Sequence, residues 1–161
     1  MASTRKSKSP EGRIGIYKKI EDVPNRYRLR NHDAAYADRD VWSEFKSSIT
    51  YDFDSDHYQA TFRRVNQSWK EHMEGRNRHH ALARPDDVER WCSQLAETRT
   101  LGTVWKEYWV RLEQFYSWLY FHTEHPHVYH PVLMAAVSYE TSGEIWELKM
   151  ASRDRGGDAD E

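Results

Sequence analysis

From Leu101 to His122 the chain reads LGTVWKEYWVRLEQFYSWLYFH, which sets Leu101, Val104, Trp105, Tyr108, Leu112, Phe115, Tyr116 and Leu119 at steps of one, three or four residues. Side chains at that spacing share one side of a helix. A stripe this broad and aromatic must be buried among several neighbours, so the helix, with Thr100 as its cap, is expected at the centre of a bundle. The rest of the pattern agrees with it. Tyr58, Phe62, Val65, Trp69 and Met73 form one stripe of a helix running from Asp56 to Gly75, and Val88, Trp91, Cys92, Leu95 and Ala96 form another. Pro85 suits the first turn of that second helix, and Asp86 and Asp87 favour its positive end. A shorter helix is expected over Arg39 to Ile49, capped by Asp38 or Asp40, with Trp42, Phe45 and Ile49 inward.

His125-Pro126 and His130-Pro131 break the chain before a further helix from Pro131 to about Tyr139, and an amphipathic piece, Glu144 to Met150, closes the pattern. No stretch alternates with strand period long enough to compete. The expectation is an all-α fold of four or five helices joined by short loops.

Mean hydropathy is −1.00, low enough for disorder, but 14% of the 161 residues are aromatic, and their helical spacing argues for a small, aromatic core. One domain is expected. Its division runs through a disordered basic tail (1–14), an arm with a short helix (15–57), a helical domain (58–140), a C-terminal helix (141–151) and a disordered acidic tail (152–161). In the arm, Ile16, Tyr17, Ile20, Val23, Pro24, Tyr27 and Leu29 are sprinkled irregularly, as in a segment that packs onto a body.

The single cysteine, Cys92, excludes a disulfide within the chain and a cysteine-based zinc site, which fits a reducing, cytoplasmic setting. Its place on an apolar stripe makes it a core filler. No run approaches the length of a membrane span, and the first residues lack the apolar segment of a signal peptide, so no membrane association is expected.

The net charge of −2 hides an uneven distribution. Residues 1–30 hold nine Lys/Arg against three acids, a local charge of +6 in a chain whose remainder is acidic. A second basic zone, 61–84, has Arg63, Arg64, Lys70, Arg76, Arg78 and Arg84 against Glu71 and Glu74. On the helix that begins this zone, Gln59, Arg63, Asn66 and Lys70 fall on one polar facet, with cations that suit phosphates and amides that suit adenine edges. On the long helix, Thr103, Lys106, Val110 and Gln114 form a weaker outer facet, opposed by Glu107 and Glu113. Solvation alone also explains such faces.

The order of these helices, with Thr100 ahead of Tyr108, Leu112, Phe115 and Trp118-Leu119, and then Tyr129 and Pro131-Val132-Leu133, resembles the core-binding domain of tyrosine recombinases, the phage-type integrases. The likeness covers residues 58–139, and His130 stands where that family commonly has Asn. It implies a four- to five-helix SAM-like orthogonal bundle, here with an irregular N-terminal arm and disordered tails, that clamps duplex DNA. It implies DNA contacts from Arg63, Arg64, Asn66, Lys70, Arg76, Arg78, Lys106 and Arg111, and no cofactor. The family's catalytic set belongs to a separate domain. Its His-x-x-Arg signature occurs nowhere in this sequence, so a non-catalytic module is expected, either alone or beside a recombinase or another protein subunit.

Two other readings stay open. His122, His125, His127 and His130 are spaced as ligands can be, although two prolines make the backbone angular, and helix-capping or backbone-bonded histidines account for them more simply. Trp109, Trp118 or Trp146 could anchor a protein partner if exposed, or widen the core if not. Asp52, Asp54 and Asp56 resemble the start of a cation loop but lack its Gly and its distant Glu. No phosphate loop or nucleophile constellation is present.

Overall fold

A computed structural model describes residues 8–15, 17–49 and 56–160, with side chains described as far as Arg153. Asp52 and Asp54 lie outside the described residues. Seven helices follow in order: α1 (Asp33–Tyr36), α2 (Val41–Ser48), α3 (Asp56–Gly75), α4 (Pro85–Ala96), α5, α6 (Pro131–Ser138) and α7 (Glu140–Asp160). Helix α5 is continuous but composite, an α-turn (Leu101–Thr103), a π-helical stretch (Val104–Trp109) and an α-helical stretch (Val110–Phe121). No strand occurs among the described residues.

The expected caps explain the helix starts. The Asp40 side chain accepts from the Ser43 amide at 3.1 Å ahead of α2, and Thr100 Oγ1 accepts from the Thr103 amide at 3.2 Å ahead of α5. His130 Nδ1 accepts from the Leu133 amide at 3.3 Å ahead of α6, so this histidine is a helix cap. Helix α6 packs against α4 and α7, and α5 runs past α2, α3 and α6. Trp42, Phe45, Phe62 and Phe115 meet in one ring cluster, with Trp42 and Phe115 centroids 4.8 Å apart. Trp69 and Trp91 meet edge to face at 5.1 Å.

In the π stretch the amide of Val110 reaches back to the Trp105 carbonyl, and the residue added to that turn brings both Tyr108 and Trp109 to the core. The side chain of Arg111 folds back so that its Nη1 donates to the carbonyls of Lys106 at 2.9 Å and Glu107 at 3.1 Å. Its guanidinium also lies 4.8 Å from the Tyr58 ring centroid.

The expected free N-terminal tail is corrected where it is described. Residues 8–14 are not a free tail: Ile14 is buried, the Pro10–Gly12 turn packs on α6, and Trp146 Nε1 donates to the Lys8 carbonyl at 2.7 Å. At the other end α7 begins at Glu140 and continues to Asp160, past the Ala151 boundary, because an anchored helix propagates by adding one internal hydrogen bond per residue. The arm lies on the body as expected, with Val23, Leu29 and Tyr36 buried and the Leu29 amide donating to Tyr129 Oη at 2.9 Å.

Candidate nucleic-acid interface

Helix α3 carries its apolar stripe inward through Phe62, Val65, Trp69 and Met73; of the expected facet Gln59 and Arg63 are exposed, while Asn66 and Lys70 are half-buried. Arg63 and Arg64 are adjacent and exposed there; Arg63 has no ion pair among the described residues, and Arg64 Nη1 lies 3.9 Å from Glu107 Oε2 on α5. Lys106, next to Glu107, is also exposed, with Nζ 5.6 Å from the Trp105 ring centroid. These three cations are the part of the expected set that faces solvent with little competition.

Of the other five expected contacts, four cations bond inside the protein and Asn66 is half-buried, so the second basic zone is not one free surface. Lys70 Nζ bonds Asp40 Oδ1 at 2.8 Å, joining α3 to the start of α2. Burial pushes the Asp40 carboxyl up, but bonds from Lys70 and Ser43 outweigh it and hold the group at about 2. Asn66 is half-buried, with its Oδ1 shielded from solvent and unbonded, so it offers no amide edge to a base. Arg111 is 8% exposed and braces the π stretch.

Arg76 and Arg78 turn to the buried carboxylate of Asp87 at the start of α4, Arg78 with Nε at 2.7 Å from Oδ2 and Arg76 with Nε on Oδ1. Arg76 also meets Asp86 at 2.9 Å, as Arg84 does. Burial raises the Asp87 carboxyl, yet Arg78, the Arg84 amide and Arg76 together bring it below the usual carboxylate range. These arginines fasten the connector between α3 and α4.

The buried histidines His80, His127 and His130 serve as neutral hydrogen-bonding groups. His80 Nε2 accepts from the amides of Val41 at 3.1 Å and Trp42 at 3.3 Å. His127 Nε2 meets the Ala81 carbonyl at 2.6 Å, and His130 Nε2 lies 3.0 Å from Ser117 Oγ. His122 and His125 sit beside Trp118, and among the described residues no group of three or more His, Cys, Asp or Glu is placed to hold a metal ion.

The tryptophans named as partner anchors are core residues. Trp109 and Trp146 are buried, and Trp118 is half-buried against Phe45 at 5.7 Å. Among the described residues the most exposed aromatic is instead Phe121, 79% exposed at the end of α5. Close by, Tyr27 and Val128 are partly exposed around a depression of about 430 Å³ that Tyr17 and Tyr120 also line. Phe121 falls off the main stripe of its helix, a signal present in the sequence.

No helix among the described residues is long and apolar enough to cross a membrane. Compared with known proteins, the chain matches no family model, no curated protein and no solved structure.

Proposed function

We propose that this chain is a non-catalytic module that holds duplex DNA, with α3 to α6 arranged as the SAM-like bundle of a tyrosine-recombinase core-binding domain. The carrying observation is the exposure of Arg63, Arg64 and Lys106, with Arg64 on α3 reaching Glu107, the sequence neighbour of Lys106 on α5. Competition from Glu107 is slight, since an exposed ion pair is worth only about 0–1 kcal/mol and a phosphate can take its place. Lys70 stays outside this group, held by Asp40 at 2.8 Å. Arg76 and Arg78 are structural in this reading, as is Arg111.

Phosphate contacts of this kind position a duplex without reading its sequence, so binding is weak and falls with salt. The test is fluorescence anisotropy of a labelled duplex over a salt series, comparing the protein with a variant carrying Arg63→Glu and Arg64→Glu. Binding at low salt is expected, with a log–log salt slope that shrinks by about 0.9 for each phosphate contact removed. An unchanged anisotropy at low salt overturns the reading.

The exposure of Phe121 favours a second reading, a protein-interaction module that docks a partner on the aromatic end of α5. In that case Phe121→Ser abolishes partner binding, while the double arginine reversal leaves it intact.

A further inference from the structure

The arm and the body enclose a cavity of about 240 Å³ whose lining includes Arg28, Arg30, Asp33, Asn77, Arg78, Arg84 and Tyr129. Four arginines on one small cavity is an unusual concentration of charge, and their pairing leaves it incompletely neutralised. Arg76, Arg78 and Arg84 share the two carboxylates Asp86 and Asp87. Among the described residues Arg28 and Arg30 meet only neutral acceptors, the Val23 carbonyl at 3.1 Å and Asn25 Oδ1 at 3.4 Å. Asp33 is the one carboxylate in the lining itself. Five cations therefore stand against three carboxylates, an excess of two positive charges at the seam.

Tyr129 adds a donor. Its oxygen accepts from the Leu29 amide at 2.9 Å, which leaves the phenolic proton without an acceptor among the described residues. Arg28 and Arg30 from the arm and Arg84 from the body line the same cavity as the Tyr129 phenol, and their charge counters the rise that burial imposes on it. The volume is small for an extended ligand and suits a single oxyanion with a few waters. A planar guanidinium fork matches the oxygens of a phosphate, and an excess of two charges matches a phosphate dianion better than a carboxylate.

We propose that this cavity binds a phosphate dianion, either free inorganic phosphate or the terminal phosphate of a monoester, with Arg28, Arg30 and Arg84 as its charged donors and Tyr129 as its neutral one. The site is separate from the Arg63 face, and filling it clamps the arm to the body.

The test is titration of the isotopically labelled full chain with inorganic phosphate, thymidine monophosphate and acetate, following the Leu29 amide and the arginine Nε signals by NMR. Saturable shifts with phosphate or the monoester, and none with acetate, are expected; the tighter of the two identifies the source. Arg30→Gln removes an exposed side chain and keeps the fold, and it weakens binding by about tenfold, the value of one charge-assisted bond. Arg28→Gln acts in the same direction, and Arg63→Gln leaves phosphate binding unchanged, which separates this site from the DNA face. Absence of saturable shifts, equal shifts with acetate, or equal affinity in the Arg28 and Arg30 variants overturns the proposal.

Discussion

Asp87 and Arg78 form a two-point pair at the head of α4, with Arg78 Nε 2.7 Å from Oδ2 and Nη2 2.5 Å from Oδ1 of a carboxylate that is wholly buried. Arg76 and the Arg84 amide complete the shell of that carboxylate. The connector from α3 to α4 is therefore held by charge rather than by apolar packing alone.

Asp87→Asn leaves Arg76 and Arg78 facing a neutral amide, and breaking a buried pair from one side costs roughly 3 kcal/mol. Chemical denaturation with an unchanged m-value measures it. A loss of under about 0.5 kcal/mol, the size of an ordinary surface change, refutes the structural role of the pair.

Acid sensitivity follows from the buried histidines. Burial pushes His80 and His127 down to about 3 and His130 to about 4, from an ordinary 6.5. For His80 the bonding gives a direct reason, since its Nε2 accepts two amides and cannot also carry a proton. The unfolded chain then binds more protons than the folded one between about 6.5 and 3, so stability is complete above that window and falls as pH drops through it. The slope approaches on the order of 1 kcal/mol per pH unit for each histidine still neutral. Urea midpoints that stay level from neutral pH down to the bottom of the window contradict this.

Gly15 and Gly75 differ in kind. Gly15 has φ +83, and a Cβ there would lie 2.5 Å from Tyr120 Oη, whereas a Cβ at Gly75 meets nothing within 4 Å. Gly15→Ala is expected to cost about 1–2 kcal/mol from backbone strain alone. Gly75→Ala is expected to be neutral or to stabilise by about 0.5–1 kcal/mol. Melting temperatures that move together in the two variants rule out the distinction.

Cys92 is fully enclosed, and burial pushes its thiol far above the ordinary range. The thiolate is the reactive form, so the native protein is expected to resist thiol reagents that label it at once in denaturant. Rapid labelling of the folded chain contradicts the core position.

Much of the helical framework can be read from the sequence. The boundaries of α3 and α4 match because a continuous stripe, Phe62 to Met73, and a proline with two following acids mark them locally. The core status of Cys92 is legible for the same reason. The π stretch has no such marker, since Tyr108 and Trp109 read as one stripe residue and one neighbour. The fate of the basic residues is the least legible. Lys70 and Asp40 are 30 positions apart, and only the tertiary arrangement shows that they neutralise each other. Arg28 and Arg30 count toward the basic first zone, but nothing local reveals that they meet Arg84 across a cavity. The burial of Ile14 was equally hidden, because the apolar residues Ile14, Ile16 and Tyr17 beside it follow no helical period.

The first described residues are fastened to parts of the chain made much later. Trp146 holds the Lys8 carbonyl across 138 positions, and Tyr129 holds the Leu29 amide across 100. During synthesis the segment from Lys8 to Gly12 cannot take its native place until α6 and α7 have left the ribosome, so its docking depends on the last part of the chain to be made.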